Sequence, residues 1–242
     1  MDDVGASSKI YAIYSNKLLG LGNFLFLKYM SSFKGWGPYD ELNYGEWNEI
    51  LECLEKFNAK LTIGVTASWV MASGEIIPIY DKYPDSVRII KEGVNKGLLE
   101  VANHGLTHCV TQDKLFLPNL FTSNRKYHRE FWEWIPRDLH YEHLEKSQKI
   151  LHDAFGILPN VFIPPGNVFC NDTLDAAIHN NIKLVNCNTP SRIYKNLKII
   201  SNADVLAFHD RELKIQGLGF LSSNLINKTH THQFKLISDL IK

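Results

Sequence analysis

The chain lacks several features that would assign it to a large class of proteins. No run of about 18 apolar residues occurs in its 242 residues, so we expect no membrane-spanning helix. The 26 Lys and Arg side chains equal the 26 Asp and Glu in number, and no basic stripe indicates nucleic-acid binding. Charge runs and low-complexity segments are also missing. With 45% hydrophobic residues, the composition is that of an ordinary globular protein.

Cysteine pairs of the Cys-x-x-Cys type are absent as well. The chain has four scattered cysteines, Cys53, Cys109, Cys170 and Cys187. Scattered cysteines favour reduced thiols over a disulfide framework. Cys109 directly follows His108, and we expect it to be a small buried residue rather than a metal ligand. The first residues are acidic and lack an apolar core, so we expect no signal peptide and a cytoplasmic location.

Short β-rich runs alternate with segments of helical period, which predicts βα units around a parallel sheet. Strands are expected at residues 61–65, 98–102, 160–163, 183–186 and 204–208. Helices are expected at residues 44–57, 84–96, 139–155, 172–180 and 213–226. Residues 234–241 fit either a last strand or a helix, with a lean towards a helix. The length suits one domain over residues 1–242.

Four polar motifs occur in order, and the last three follow predicted strands. They are Asp2-Asp3 before Gly5, then Asn103-His104-Gly105-Leu106-Thr107-His108, then Pro164-Pro165-Gly166, and finally His209 after Val205-Leu206-Ala207-Phe208. The spacing of His104 and His108 can place two imidazoles on one face, close enough to share a metal. It is not a zincin motif, because Gly105 stands where the catalytic Glu would be. Two unrelated loop histidines are the alternative.

In this order the motifs resemble those of the polysaccharide deacetylase family, the metal-dependent carbohydrate N-deacetylases with a NodB-homology domain. The resemblance runs from Asp2 to His209. It implies an α/β fold, a distorted (β/α) barrel with its site at the C-terminal ends of the strands. In that family a strand precedes the paired aspartates, whereas only Met1 precedes them here. We therefore expect either a start downstream of the biological one or a barrel that lacks its first strand.

The resemblance implies a metal site made of Asp3, His104 and His108. One carboxylate and two neutral imidazoles suit Zn²⁺, and Co, Mn or Ni are possible. A metal ion lowers the pKa of bound water to about 7, which makes a nucleophile available near neutral pH. The alternative for the Asp2-Asp3 pair is that both are ordinary solvent-exposed charged residues that bind no metal.

The resemblance also implies three catalytic residues. Asp2 would be the general base, and Gly166 would donate its N–H to the oxyanion, since neither preceding proline has one. His209 would be the general acid that protonates the leaving amine. A simple turn is the alternative for the proline motif, and His230 and His232 are competing candidates for the acid. The remaining histidines are expected to lie at the surface or to pack: His128, His140, His143, His152 and His179.

Two positions depart from the family pattern. Ile163 stands where the family commonly has an Arg that orients the base, and Asn186 and Asn188 are nearest to where it has an Asp that tunes the catalytic His. Possible substitutes for the two missing side chains are Arg192, Asp210 and Arg211. These departures indicate a divergent subfamily with a substrate unlike chitin or peptidoglycan.

The expected function is therefore metal-dependent hydrolysis that removes an N-acyl group, acetyl first of all, from an amino sugar or glycoconjugate. The alternatives are hydrolysis of another non-peptide C–N bond in a small amide, and a non-catalytic carbohydrate-binding barrel. The partner is then a carbohydrate or small amide, with no nucleic acid. The long aromatic segment at residues 112–136 follows the His108 loop, so we expect it to border the mouth of the site and to stack on the substrate.

Overall fold

A computed structural model describes residues 1–12, 27, 30, 38–112, 115–116, 124–229 and 233–241. The described strands are β1 (Leu61–Val65), β2 (Ser68–Val70), β3 (Ile76–Pro78), β4 (Leu99–Asn103), β5 (Val161–Phe162), β6 (Leu184–Cys187), β7 (Arg192–Tyr194) and β8 (Leu197–Ser201). The described α-helices are α1 (Ser8–Tyr11), α2 (Tyr44–Lys56), α3 (Ile79–Lys82), α4 (Pro84–Asn95), α5 (Arg137–Phe155), α6 (Asn171–His179), α7 (Asp210–Gln216) and α8 (Leu218–Thr229).

Six of these strands form one sheet in the order β1-β4-β5-β6-β8-β7. All neighbouring pairs are parallel except β7 with β8. Strand β1 is buried along its whole length, as expected when both faces of a parallel sheet are covered. The carboxyl ends of the parallel strands meet at one edge, so the loops after β1, β4, β5 and β6 lie on one rim. This α/β architecture confirms the predicted fold class.

The N-terminal residues occupy the place next to β1. Gly64 N donates to Met1 O at 2.8 Å, and Thr66 N donates to Val4 O at 2.9 Å. On the other side, Asp2 N donates to Phe208 O at 2.9 Å. Only isolated bridges result, Val4 with Val65 and Asp2 with His209, both parallel. Residues 1–4 thus lie between β1 and His209, where a first strand would run.

The predicted strand at residues 204–208 is wrong. Asn202–Asp204 is a 3₁₀ turn, whose cap Ser201 accepts a hydrogen bond from Ala203 N, and the chain then continues without regular structure to His209. The place beside β6 is taken instead by β8, which the sequence reading missed. Strands β7 and β8 pair antiparallel, and Lys195 in the turn between them has a φ of 55°. Gly, Asn or Asp usually occupies the left-handed position of a hairpin turn. Because a lysine occupies it here, the sequence does not indicate the hairpin.

The predicted helix at residues 213–226 is two helices, α7 and α8. They are separated at Gly217, whose φ of 70° is incompatible with a continuing α-helix. Within residues 234–241 the regular element is a 3₁₀ helix, Ile237–Ile241, so the lean towards a helix was closer than the strand.

The other predicted helices and strands are present with ends shifted by one or two residues. In α2 the apolar period places Trp47, Ile50, Leu51 and Leu54 in the main core. Helix α2 begins with a capping box in which Asn43 and Glu46 exchange hydrogen bonds. No helix among the described residues is long and apolar enough to cross a membrane.

Candidate active site

Asp3, His104 and His108 come together as predicted. Nε2 of His104 lies 3.2 Å from Asp3 Oδ1, and Nε2 of His108 lies 3.1 Å from the same oxygen. All three side chains are buried, and a ligand atom from each lies within 4.8 Å of the others. Burial alone would raise the pKa of Asp3, but the two imidazoles hold it well below its ordinary value, so the carboxylate is ionised.

The orientation of the His104 ring is fixed by a backbone contact of its Nδ1 atom. Its Nδ1 lies 2.6 Å from the carbonyl oxygen of Ile163. A carbonyl only accepts hydrogen bonds, so in the neutral imidazole Nδ1 carries the proton and Nε2 presents its lone pair to Asp3. A backbone partner of this kind is typical of metal-binding histidines. His108 has a φ of 60°, and neither of its buried ring nitrogens makes a well-aligned hydrogen bond to a described residue.

These contacts fit a divalent metal ion. A lone pair and a carboxylate that face each other at 3.2 Å repel unless a proton or a cation lies between them. Donor atoms at about 2.0–2.1 Å from a tetrahedral zinc ion lie about 3.3–3.4 Å apart, close to the two separations from Asp3 Oδ1. Nε2 of His108 faces the same oxygen at 3.1 Å without a well-aligned hydrogen bond, which points to the same conclusion. The donor set of one oxygen and two imidazole nitrogens is one that Zn²⁺ accepts.

Glu130 anchors the loop that carries both histidines. Its buried carboxylate accepts hydrogen bonds from the backbone N–H groups of Leu106, Thr107 and His108, at 3.0, 3.2 and 3.0 Å. Nδ1 of His143 lies 2.7 Å from the same carboxylate. Burial lowers the pKa of His143, but Glu130 outweighs this and raises it. The sequence reading missed Glu130, because an acidic residue in an aromatic segment carries no signal that it caps a distant loop.

Asp2 and His209 lie side by side at the mouth of the metal cluster. The bridge between them is closed by Asp2 N with Phe208 O and by Asp210 N with Asp2 O, at 2.9 and 3.1 Å. Both side chains line the same cavity as Asp3, His104 and His108. The structure therefore places the predicted base and acid together, although strand 204–208 does not exist.

The imidazole of His209 has an acidic neighbour that sequence reasoning did not name. Its Nδ1 lies 3.4 Å from Glu212 Oε2, and that oxygen accepts the His209 backbone N–H at 2.7 Å. Burial lowers the pKa of His209, but Glu212, Asp3 and Asp2 raise it to about 9. The i, i+3 spacing at the start of α7 could have indicated Glu212.

Beneath the Asp2-Asp3 turn lies a buried network of charges. Lys9 is fully buried and pairs with Asp210 and, at 2.7 Å, with Glu41. Asp210 also accepts a hydrogen bond from the Tyr39 hydroxyl at 2.8 Å. Glu41 in turn accepts the Gly5 backbone N–H at 2.9 Å. Burial lowers the pKa of Lys9, but its two carboxylate partners outweigh this and raise the pKa above the ordinary lysine value. The ammonium group therefore stays charged.

This network holds the aspartate turn from below. Asp3 and Gly5 both have positive φ, 70° and 73°, so the turn needs outside support. Of the three suggested substitutes for the missing family side chains, Asp210 is the one built into the site, where it pairs with Lys9. Arg192 is exposed in β7, and Arg211 lies 3.8 Å from Glu212.

Gly166 lies at the rim after β5 and lines the cavity. Its φ is 60°, and a Cβ added there would lie 2.8 Å from the Cγ and Nε atoms of Arg129. A side chain here would be strained at this φ and would displace Arg129, which favours glycine. The cavity measures about 340 Å³, a size that suits a sugar residue.

Three residues of the segment 112–136 line the cavity, namely Arg125, His128 and Arg129. The position of the segment therefore agrees with the prediction, but none of its Phe, Tyr and Trp rings that the structure describes lines the cavity. Phe131 is in a core cluster, and Trp134 is exposed. Residues 113–114 and 117–123 of the segment lie outside the described part of the chain.

The histidine predictions need one correction. His128, expected at the surface or in packing, is buried and lines the cavity. Burial and the neighbouring His108 lower its pKa to about 3, so the imidazole is neutral. The competing candidates His230 and His232 lie outside the described residues. Cys109 is fully buried beside Val70, as expected.

Comparison with known proteins assigns the family. The family model described as polysaccharide deacetylase matches residues 38–185, more than half of the chain. The chain belongs to the polysaccharide deacetylase family. The match includes His104, His108 and Gly166, whereas Asp2, Asp3 and His209 lie outside it and are brought to the site by the fold. None of the curated proteins compared matches this chain.

Three solved structures are similar to this chain, and two of them have a TM-score above 0.5. A CE4 family pseudoenzyme from Bacillus anthracis is 14% identical over 84% of this chain and 63% of its own, with a TM-score of 0.51. A mutant of a CE4 family pseudoenzyme with restored enzymatic activity is 16% identical over 83% of this chain and 64% of its own, also at 0.51. A family 4 acetyl xylan esterase from Clostridium thermocellum, in complex with a cobalt ion, is 15% identical over 83% and 86%, at 0.46.

This chain thus spans less than two thirds of the length of the pseudoenzyme chains. At these identities the two structures at 0.51 show the fold alone. Together with the family match, they confirm the predicted α/β architecture of the NodB-homology type.

Proposed function

We propose that this protein is a metal-dependent hydrolase that removes an N-acyl group, acetyl in the first instance, from an amino sugar or glycoconjugate. The observation that carries the proposal is the buried cluster of Asp3, His104 and His108 at the base of a sugar-sized cavity. Membership of the polysaccharide deacetylase family supports the substrate class. A bound divalent ion would supply an activated water and would polarise the amide carbonyl.

The residues of the chain then have separate tasks. Asp3, His104 and His108 would hold the ion, and the Ile163 carbonyl fixes the orientation of the His104 ring. Asp2 is next to Asp3 and lines the same cavity, and it accepts the proton of the attacking water. Gly166, on the loop after β5, lines the same cavity, and its N–H donates to the oxyanion.

His209 delivers a proton to the leaving amine. An amine leaves readily only once it is protonated, so the acid must carry its proton at working pH. A pKa raised to about 9 meets this requirement at neutral pH. Glu212 takes the part of a carboxylate that orients and charges the imidazole, with its oxygen 3.4 Å from Nδ1.

A second candidate is a carbohydrate-binding protein without catalysis. The specific observation in its favour is Ile163, which cannot orient Asp2 as the Arg expected from the family pattern would. The six predicted site residues argue for catalysis, because a binding protein has no need of a base and an acid beside the metal cluster.

Two variants test the proposal. His104→Ala should lose most bound zinc and all acetate release, while Asp2→Asn should keep zinc and lose turnover by about 10²–10⁴-fold. Zinc is measured by elemental analysis and acetate by an enzyme-coupled assay on N-acetylated oligosaccharides. Asp85→Asn, on the exposed start of α4, is the matched control. Unchanged zinc in His104→Ala would refute the metal site, and zinc loss in Asp2→Asn would reverse the roles of the two aspartates.

A further inference from the structure

Two asparagines line the active-site cavity on loops that follow neighbouring strands. Asn167 ends the 3₁₀ turn Pro165–Asn167 after β5, and Asn188 directly follows β6. Both residues line the same cavity as Gly166 and His209. Neither asparagine has a part in the proposed hydrolysis. We call Asn167 and Asn188 the asparagine pair.

The side-chain oxygen of Asn167 joins the two loops. Its Oδ1 accepts the backbone N–H of Asn188 at 2.7 Å and the side-chain NH₂ group of Asn202 at 3.4 Å. These two donors set the orientation of the Asn167 amide, so its NH₂ group is left for another partner. Asn167 has a φ of 59° and directly follows Gly166, whose φ is 60°. Such left-handed conformations of a residue other than glycine are uncommon and cluster at ligand-binding sites.

The asparagine pair keeps hydrogen-bonding groups that its surroundings do not use. Within the part of the chain that the structure describes, the NH₂ group of Asn167 and the side-chain amide of Asn188 make no hydrogen bond. Both residues are exposed, so a ligand in the cavity reaches them without any rearrangement of the core. The pair therefore presents a fixed donor and a second complete amide to whatever binds there.

The chemistry of these groups indicates what they bind. An amide side chain offers donors and an acceptor at once and carries no charge. A hydroxyl group also donates and accepts, whereas a carboxylate only accepts. The pair is thus suited to uncharged hydroxyl groups. A sugar ring carries hydroxyls close to its N-acyl group, and Gly166, where the acyl oxygen is expected in the proposed hydrolysis, directly precedes Asn167.

We propose that the asparagine pair binds ring hydroxyls of the substrate sugar while the acyl group lies between the metal ligands and Gly166. This inference rests on the proposed function, because it names the part of the sugar that the same cavity recognises. The Asn167 NH₂ group donates to a hydroxyl oxygen, and the Asn188 amide exchanges hydrogen bonds with the same or a neighbouring hydroxyl. The pair determines which sugars bind and takes no part in proton transfer.

Four sugars test this role, namely N-acetylglucosamine and its 3-deoxy, 4-deoxy and 6-deoxy analogues. Each analogue lacks one hydroxyl group. Dissociation constants for the zinc-loaded protein are measured by NMR titration, and acetate release from an N-acetylglucosamine oligosaccharide is measured in parallel. We expect at least one analogue to bind about 3–10-fold more weakly than N-acetylglucosamine, which is the range for one neutral hydrogen bond.

The same titrations are run on Asn188→Ala and Asn167→Gly. Asn188→Ala removes the side-chain amide but keeps the backbone N–H that bonds to Asn167. Asn167→Gly removes the other amide at a φ that glycine adopts freely. Each variant should lose the discrimination against at least one analogue, as coupled partners do in a double-mutant cycle. Asn181→Gly is the matched control, because Asn181 is exposed with a φ of 60° and does not line the cavity.

The outcomes distinguish this inference from the proposed function. Discrimination that depends on the asparagine pair, without acetate release, would support the pair and refute the deacetylase. Acetate release together with equal affinity for all four sugars would support the deacetylase and overturn the pair. Discrimination that survives in both asparagine variants, or that Asn181→Gly abolishes as well, would also overturn the pair, and so would no binding of any sugar. If Asn167→Gly displaces the loops, Asn188→Ala still decides the question.

Discussion

Glu130→Gln tests whether the buried Glu130 carboxylate holds in place the loop that carries His104 and His108. One carboxylate oxygen accepts Leu106 N–H and faces His143 Nδ1, and the other accepts Thr107 N–H and His108 N–H. A glutamine amide has only one oxygen. The glutamine side chain is best oriented with its NH₂ group towards His143 Nδ1, which can accept a hydrogen bond. The Leu106 N–H then faces this NH₂ group and has no acceptor.

The magnitude follows from that single loss. A buried unsatisfied donor costs about 1–3 kcal/mol, and for a chain of this size each kcal/mol lowers Tm by about 2–4 °C. We therefore expect Glu130→Gln to melt about 2–12 °C below wild type in chelator. Displacing a residue that supports metal ligands typically lowers metal affinity by about 10–100-fold, which a competition titration with a coloured zinc chelator would measure. Glu133→Gln, at an exposed position nearby, should change neither value.

The pH dependence adds an independent check. His143 has a raised pKa in the folded protein, so its pairing with Glu130 stabilises fully below the ordinary histidine pKa of about 6.5 and is lost as pH rises through the folded value. The cost of Glu130→Gln should therefore be larger at mildly acidic than at alkaline pH. Equal melting temperatures and equal zinc affinity for Glu130→Gln and wild type would refute the anchoring role.

Three further predictions concern the rest of the site. Lys9→Met leaves two buried carboxylates without their cation, so the free energy of unfolding should fall by about 3–5 kcal/mol in urea titrations. A smaller loss than that of an exposed Lys→Met control would contradict the network. Gly166→Ala forces a Cβ within 2.8 Å of Arg129 at a φ of 60°, so acetate release should fall while zinc content is kept; wild-type kinetics would contradict this. Glu212→Gln should lower the pKa of His209 from about 9, so the alkaline limb of kcat should move to lower pH, and an unmoved limb would count against His209 as acid.

Local motifs made much of this site predictable. His104 and His108 are four residues apart directly after a buried strand, and Gly166 follows two prolines at the next strand end. Parallel strands bring such ends to one rim, so the strand pattern was enough to place them together. His209 was placed correctly for a different reason, because the chain reaches Asp2 through an isolated bridge and not through a strand.

The supporting residues could not be predicted because their roles depend on distant partners. Lys9 pairs with Asp210, 201 positions away, and Glu130 caps a loop more than 20 positions before it. A lysine in sequence looks like a solvated charge, and only the fold shows that this one is fully buried. His128 is a similar case, since a histidine between basic and aromatic residues gives no sign of burial in a cavity.

Metal-dependent acetate release is the most direct test of the central claim. Purified protein would be stripped with chelator, checked for zinc by elemental analysis, and assayed on N-acetylated sugars, charged and neutral, before and after zinc is restored. The account predicts no release from the stripped protein and full recovery with about one zinc ion per chain, as expected for one three-ligand site. Release that persists in metal-free protein, or zinc-loaded protein that frees no acetate from any of these sugars, would contradict it.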